Sequence, residues 1–252
     1  MRKNIVAGNW KMNKDAQSAK ALVEELKNYL DANTTNCEVY IAPPALFTAS
    51  AVEMAKGSKI EIYTQDVSEH QSGAYTGEIS VDMIASVGAN GAIIGHSERR
   101  QYHGETDSHC NRKVKAALDK GLTPIYCNGE TLEQRKANQH LEVVKNQTET
   151  ALFTLSAEEI KKVVIAYEPV WAIGTGETAT PEQAQEIHAH IRGLIAAKYG
   201  KEVADEVSIL YGGSVKPENA KEIFSQPDID GGLIGGAALK VEDFSKIIEA
   251  FN

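Results

Sequence analysis

Hydrophobic residues along the chain cluster in eight short, near-continuous runs, a pattern typical of strands that are buried on both faces. The runs occupy residues 4–7, 39–42, 60–63, 92–94, 123–127, 163–166, 207–211 and 232–234. Between them, apolar side chains recur every three or four positions among charged residues, as at Leu22, Leu26 and Leu30. This spacing is that of amphipathic helices. The sequence therefore predicts a regular alternation of strands and helices.

Residues that cap helices place several helix boundaries. Thr180 and Pro181 have the residue types of an N-cap and a first helical position, which predicts a helix that begins at Pro181. Pro217 predicts a second helix start in the same way. Gly121 is of the type that follows a helix end. These signals agree with the hydrophobic pattern.

Strands that alternate with helices pair in parallel, either in an open doubly wound sheet or in a closed barrel. An open sheet needs edge strands that are shorter or more polar than the others, and none of the eight runs has that character. Eight units in 252 residues favour the barrel. We therefore predict an α/β protein, a (β/α)8 barrel of eight parallel strands surrounded by helices, with residues 1–252 in a single domain. Functional residues of such barrels lie at the carboxyl ends of the strands.

The composition is that of an ordinary globular protein, with 42% apolar and 24% charged residues. The net charge of -9 argues against a broad surface for nucleic acid or anionic membranes, since both need clustered Lys and Arg. The three cysteines include no C-x-x-C pair, so neither a disulfide framework nor a zinc site is indicated. The first residues run directly into a strand, without a charged and apolar leader. We expect a cytoplasmic protein that binds no membrane and no nucleic acid.

Glu168 is the first candidate for chemistry. It stands at the exit of the strand predicted at 163–166, and Pro169 behind it has no N–H with which to extend a ladder. Residues 170–179 are too apolar for a solvated linker and too rich in glycine for a helix, a composition that suits a movable lid. Burial under a lid would raise the pKa of the carboxyl group, because it disfavours the charged form. Glu168 is therefore a predicted general base.

His96 also follows a strand, and Ser97 after it is expected to cap a helix. The positive end of that helix dipole disfavours an imidazolium ion, so His96 is predicted to be neutral and to donate a hydrogen bond to a carbonyl. A histidine that only packs is the alternative. The other histidines are expected to be structural. His188 and His190, two positions apart on a predicted helix, face different ways and form no metal pair.

Lys11, two residues after Asn9, is the basic residue that directly follows a strand on the same face. In an acidic protein an inward lysine attracts anions locally, although an isolated loop lysine is more often simply solvated. The strand-end neighbours of Lys11 favour the first interpretation. Glu98 could pair with Lys11 or Arg99, or take part in proton transfer, and we expect the structural role.

Glycine-rich turns follow three of the predicted strands, at Gly174, at 213–214 and at 235–236. Without a Cβ, the backbone N–H groups of such turns can approach an anion, and turns after strands seven and eight bind phosphate in many barrels. Glycines that merely permit tight turns are the alternative, but three turns on one face favour a phosphate site. Residues 174–179 also fit the dinucleotide pattern G-x-G-x-x-A. The context argues against that function, because no helix opens until near Thr180.

Five stretches of the sequence, taken together, resemble the triosephosphate isomerase family. They are NWKMN at 9–13, GHSERR at 95–100, AYEPVWAIGTG at 166–176, YGGSV at 211–215 and GG at 235–236. The stretches follow the order and spacing of the family, and the resemblance spans essentially the whole chain. It implies a TIM barrel that interconverts dihydroxyacetone phosphate and D-glyceraldehyde 3-phosphate through an enediolate, in glycolysis and gluconeogenesis, with no metal and no cofactor.

The resemblance also implies a role for each matching residue. Glu168 is the expected base, His96 the electrophile, and Lys11 and Asn9 their electrostatic partners, with Glu98 in support. The expected ligands of the substrate and its phosphate are Asn9, Lys11, Gly174, Ser214, Gly235 and Gly236.

The sequence departs from the family pattern in three places, of which the one at Asn128 touches no catalytic role. Asn128 stands where Ile or Val is more common, which bears on packing below that turn. Glu177 occupies a lid-hinge position that is commonly Lys, and Tyr63 and Thr64 stand where Gly and Ala are common.

The polar segment 66–80 is too long for an ordinary connection between a strand and a helix. The resemblance implies that it reaches into a second copy of the chain and places Thr76 near that subunit's Asn9 and Lys11. We therefore expect a homodimer.

Two other classes of protein fit part of the pattern. One is a different phosphate-binding barrel, such as a sugar-phosphate aldolase or a phosphoribosyl isomerase. An aldolase needs a buried Schiff-base lysine within a strand, and none of the eight runs contains a lysine. A barrel kept for binding or surface adhesion is the non-enzymatic alternative. It has no need of Lys11, His96 and Glu168 together, so their joint presence favours the enzyme.

Overall fold

The computed structural model describes residues 1–173 and 178–252 of the chain. The strands within these residues are β1 Ile5–Asn9, β2 Glu38–Ala42, β3 Ile60–Thr64, β4 Gly91–Ile94, β5 Thr123–Asn128, β6 Val164–Tyr167, β7 Ile209–Tyr211 and β8 Gly231–Ile234. The helices are α1 Ala16–Ala32, α2 Ala45–Ala55, α3 Val81–Ser86, α4 Ser97–His103, α5 Asp107–Asp119, α6 Leu132–Lys136, α7 His140–Leu152, α8 Ala157–Ile160, α9 Pro181–Tyr199, α10 Lys201–Ala204, α11 Pro217–Phe224 and α12 Val241–Ile248. Short 3₁₀ helices lie at Val170–Ala172, Gly236–Leu239 and Glu249–Phe251.

The strands form a closed barrel in the order β1 to β8, and each neighbouring pair is parallel. The barrel closes where β1 pairs with β8, from Ile5 opposite Gly231 to Gly8 opposite Ile234. The predicted (β/α)8 barrel is therefore confirmed. Both ends of each predicted run lie within two residues of the strand observed there.

Side chains that point into the barrel form an apolar cluster separate from the larger one between strands and helices. In the inner cluster, the rings of Tyr40 and Tyr63 stack with their centroids 4.6 Å apart. Gly91 makes room for Tyr63, since a Cβ at that position would lie 2.5 Å from the tyrosine ring and 2.0 Å from the carbonyl oxygen of Thr123. Tyr63, one of the residues that depart from the pattern the sequence resembles, therefore fills the barrel interior.

The predicted helix boundaries at three places are confirmed. α9 begins at Pro181 with Thr180 as its N-cap, and α11 begins at Pro217. Gly121 follows the end of α5 with a φ of +71°. Within 1–173 and 178–252, no helix combines the length and the apolar character that crossing a membrane requires.

Candidate active site

Four predicted side chains line one pocket at the carboxyl ends of the strands. Asn9 is the last residue of β1 and Lys11 follows it, His96 comes after β4, and Glu168 comes directly after β6. The pocket has a volume of about 340 Å³. Parallel strands in a closed barrel deliver these residues to one face, as the sequence predicted.

The carboxylate of Glu168 is 2% exposed and is held at both oxygens. Oε1 lies 2.9 Å from His96 Nε2, and Oε2 accepts a hydrogen bond of 2.9 Å from the Ser97 N–H. The backbone N–H of Glu168 donates to the carbonyl of Asn128 at 2.7 Å. Gly212 packs so closely that a Cβ there would lie 2.8 Å from Glu168 Cγ. These contacts place the carboxylate on the pocket wall, beside the first turn of α4.

His96 is buried and caps α4 through its ring, where Nδ1 accepts a hydrogen bond of 3.2 Å from the Glu98 N–H. The predicted cap, Ser97, is instead the first helical residue, so that prediction is wrong. Gly95 turns the chain at a φ of +76°, and the ring of His96 then reaches the free N–H groups of the helix. A ring nitrogen that accepts an N–H carries no proton. The proton of a neutral ring therefore lies on Nε2, facing Glu168.

Opposing influences set the ionisation of His96. Burial lowers the pKa of the ring, and the Glu168 carboxylate raises it through its charge and its hydrogen bond, so that the net shift of the pKa is upward. The N–H that Nδ1 accepts opposes protonation, because an imidazolium has no acceptor. Despite burial, the pKa of His96 is raised because the carboxylate of Glu168 contacts the ring. Movement of the carboxylate away from the ring would remove this upward influence on the pKa and so favour the expected neutral His96.

Lys11 has a backbone conformation that is uncommon for a side chain with a Cβ, with a φ of +51°. Its N–H donates to Asn9 Oδ1 at 3.0 Å, and its carbonyl accepts a hydrogen bond of 2.8 Å from Gln65 Nε2. Its Nζ lies 2.5 Å from Glu98 Oε1, which is the pairing expected of Glu98. These contacts stabilise a backbone conformation of Lys11 that by itself costs about 1 to 3 kcal/mol.

Gln65 was not given a role from the sequence. Its side-chain amide donates to the carbonyls of Lys11 and Ala42, at 2.8 and 2.9 Å, and so joins the turns after β1 and β2. Its position directly after β3 was the one feature of the sequence that could have indicated a role, because residues that follow the strands lie on the functional face of the barrel.

The predicted phosphate-binding turns after β7 and β8 line the same pocket, which contains Ser214, Gly235 and Gly236. A Cβ at Gly235 would lie 3.6 Å from Lys11 Cε, so this turn runs beside the lysine side chain. At Gly213 a Cβ would meet the Tyr211 hydroxyl at 2.2 Å, and the turn therefore needs glycine. Backbone N–H groups without covering side chains are suited to an anion.

Glu130 is a second residue without a predicted role. It is fully buried, and Oε1 accepts hydrogen bonds from Trp171 Nε1 at 2.9 Å and the Tyr167 hydroxyl at 3.1 Å. Arg135 donates to the same oxygen at 3.2 Å. The carboxylate thus ties the start of the predicted lid to the turn after β5. Its position two residues after a strand was the only sequence signal.

Several predicted residues lie elsewhere. Thr76 is exposed on the segment 66–80 and is not among the residues that line the pocket of Glu168. Gly174 and Glu177 lie outside the described residues.

His188 is fully buried with Nδ1 3.2 Å from the carbonyl of Asp228, and burial is the main cause that lowers its pKa to about 3. Among the described residues, no group of three or more His, Cys, Asp or Glu is placed to hold a metal ion.

The closed barrel and its pocket define a class of protein, the (β/α)8-barrel enzymes that carry acid and base side chains at strand ends beside glycine-rich turns. Comparison with known proteins gives the family within this class. The family model described as Triosephosphate isomerase matches residues 4–251. The chain belongs to the triosephosphate isomerase family.

The sequences of individual relatives align with this chain over essentially their full lengths. The chain is 59% identical over 252 residues to a triosephosphate isomerase of Bacteroides fragilis, with 100% of each chain covered. Identity is 58% over 251 residues to a triosephosphate isomerase of Porphyromonas gingivalis, again with 100% of each covered. It is 53% over 250 residues to one of Flavobacterium johnsoniae, covering 99% of this chain and 100% of the relative. The aldolase and the non-enzymatic barrel are thereby set aside.

Proposed function

We propose that the chain interconverts dihydroxyacetone phosphate and D-glyceraldehyde 3-phosphate in glycolysis and gluconeogenesis, in the cytoplasm. The observation that carries the proposal is the distance of 2.9 Å between Glu168 Oε1 and His96 Nε2, in a pocket that Lys11 also lines. A carboxylate, an imidazole and an ammonium group together can move a proton beside a carbonyl and stabilise the charge that results. The side chains supply the base and the hydrogen-bond donors, so the proposed reaction uses no cofactor.

Glu168 is the proposed base. It takes a proton from the carbon beside the substrate carbonyl, the electron pair of the broken C–H bond forms a carbon–carbon double bond, and the carbonyl π electrons move onto oxygen. Return of the proton to the neighbouring carbon, with transfer of the hydroxyl proton between the oxygens, completes the isomerisation. The carboxylate leaves its contacts with His96 and the Ser97 N–H to reach the substrate. A positioned base contributes roughly 10²- to 10⁴-fold.

His96 and Lys11 are the proposed donors to the enediolate oxygen. Nε2 of His96 carries the proton of the neutral ring, and departure of Glu168 removes the carboxylate that raises the pKa of the ring. Lys11, which lines the same pocket, adds positive charge, and Asn9 Oδ1 accepts a hydrogen bond from the lysine backbone N–H. A preorganised donor of this kind contributes about 10²- to 10³-fold. Glu98 supports the site because it fixes the ammonium group of Lys11.

The phosphate of the substrate is proposed to bind at Ser214, Gly235 and Gly236, which lie in the same pocket as the base. Their N–H groups can approach its oxygens, and Gly174 is proposed as a fourth ligand. Binding energy gained at the phosphate would orient the triose and keep the enediolate from losing its phosphate. A lid over residues 170–179 would exclude water during the reaction.

We also propose that residues 1–252 form a single domain and that two copies form a homodimer through the segment 66–80. Pairing of β1 with β8, from opposite ends of the chain, supports the single domain. A groove of about 460 Å³ beside Lys11 and Glu98 supports the dimer. Two exposed apolar side chains, Met12 and Tyr102, line that groove. Thr76 of each subunit is proposed to enter the groove of the other.

A coupled isomerase assay on the wild type and on Glu168→Asp tests the proposed function. The shorter side chain withdraws the carboxylate by about 1 Å, which should lower kcat on the order of 10²-fold. Inhibition by inorganic phosphate should remain nearly unchanged, since the phosphate turns are intact. Equal turnover by the two proteins would exclude Glu168 as the base.

A further inference from the structure

The end of β5 fixes the backbone of Glu168. The Glu168 N–H donates to the Asn128 carbonyl at 2.7 Å. Gly129, at a φ of +152°, lies directly against the same residue, since a Cβ there would lie 1.7 Å from the Glu168 carbonyl oxygen. Residues 128–129 therefore contact the backbone of Glu168 directly and help to position it.

A side chain of the outer helix α7 holds this strand end. Gln147 Oε1 accepts a hydrogen bond of 2.8 Å from the Gly129 N–H, and its Nε2 donates to the Gly129 carbonyl at 3.1 Å. One amide thus pairs with both backbone groups of a single residue, as a neighbouring strand would. The main-chain carbonyl of Gln147 in turn accepts a hydrogen bond of 2.8 Å from the Tyr126 hydroxyl. Gln147 is therefore held to the end of β5 through its main chain as well as through its side-chain amide.

Position 128 adds a second link to the same helix. Asn128 is 2% exposed and donates through Nδ2 to Thr148 Oγ1 at 3.0 Å. Thr148 Oγ1 donates onward to the carbonyl of Val144 at 2.7 Å. Consecutive residues of α7 thus bind consecutive residues of the turn. The turn is held by directional polar contacts as well as by packing.

We propose that Gln147 is a positioning residue for Glu168, acting through Gly129 and Asn128. The inference rests on the proposed function of Glu168 as the base. Gln147 does not line the pocket and is not in the phosphate turns, so its loss changes the position of the carboxylate and leaves phosphate binding intact. Displacement of a catalytic group by about 1 Å costs up to roughly 10²-fold in rate. The expected effect of losing Gln147 therefore falls on kcat and not on KM.

The test compares Gln147→Met, which keeps the length of the side chain and removes both hydrogen bonds, with Asn146→Met at the exposed neighbouring position of α7. Steady-state kinetics of each variant are measured together with competitive inhibition by inorganic phosphate. Gln147→Met should lower kcat roughly tenfold. Its KM and its inhibition constant for phosphate should stay within about twofold of the wild type. Asn146→Met should behave as the wild type.

A second variant keeps the test decisive if Gln147→Met does not fold. Gln147→Glu keeps an acceptor for the Gly129 N–H but places a carboxylate oxygen where the amide donated to the Gly129 carbonyl, so kcat should fall by about threefold or more at unchanged KM. An unchanged kcat in a folded Gln147 variant, or KM and kcat that change together, would overturn the positioning role alone. A wild type without isomerase activity would overturn the proposed function and this inference together.

Discussion

His96 Nε2 lies 2.9 Å from Glu168 Oε1, and both side chains are almost fully buried. The proposed base and the proposed electrophile thus contact each other directly. The other ring nitrogen of His96 is occupied by the Glu98 N–H. The pKa of the His96 ring therefore depends on this coupling to the Glu168 carboxylate, and movement of the carboxylate changes the acidity of the ring.

Glu168→Gln should lower the pKa of His96. In the wild type the carboxylate raises this pKa, so the contact stabilises the fold most fully below the ordinary histidine pKa and stops doing so as pH rises through the raised value. The amide removes the charge and leaves burial, which shifts the pKa in the opposite direction. An NMR titration of the ring measures the change, with buried His188 as an internal control. A His96 pKa that is unchanged or higher in the variant would contradict the coupling.

Glu98→Gln should lower kcat/KM at least threefold, because the ammonium group of Lys11 loses its fixed partner at 2.5 Å. Steady-state kinetics measure the loss. Glu53→Gln is the matched control. Glu53 pairs at 2.7 Å with Lys56 on the exposed surface, so its substitution should leave kcat/KM unchanged. Equal activity of the two variants would show that Glu98 does not support Lys11.

Glu61→Gln should raise the thermal unfolding midpoint at pH 8 more than at pH 5. Burial raises the pKa of Glu61, and the neighbouring charge of Glu38 raises it further. Because the folded state binds this proton more tightly than the unfolded state, stability is lost as pH rises through the raised pKa. The amide of the variant cannot ionise, so the variant does not lose stability in this way as pH rises. A midpoint gain that is independent of pH would disprove the assignment, and Glu53→Gln again serves as control.

Thr76→Arg should weaken the proposed homodimer and lower activity in parallel, because the much longer side chain overfills the groove that Thr76 is proposed to enter. Analytical ultracentrifugation and the isomerase assay, run at the same protein concentrations, measure the two effects. A monomeric variant with full activity would remove the claim that the segment 66–80 completes the site.

The sequence predicted the barrel well because its strands are buried on both faces and are separated by helices with clear caps. Glu168, His96 and Lys11 could be located because each directly follows such a strand, and a parallel barrel gathers strand ends on one face. Only the order of strands along the chain is needed for that conclusion.

Residues whose side chains bind backbone groups could not be identified from the order of the strands. Ser97 has the better residue type for a cap, but the turn at Gly95 gives that role to the ring of His96. Gln65 and Gln147 are ordinary polar residues in the sequence, and their significance depends on which carbonyl or N–H lies within reach of the amide. Such contacts join residues far apart in the chain and follow no periodicity.

Proton NMR of the product formed in D₂O is the most direct test of the central claim, that Glu168 moves a carbon-bound proton. A proton held on a carboxylate exchanges with solvent, so part of the wild-type product should carry deuterium on the carbon beside the carbonyl. Glu168→Gln should incorporate deuterium at least ~10²-fold more slowly. Wild-type product without deuterium, or a Glu168→Gln variant that incorporates it at the wild-type rate, would contradict the proposed mechanism.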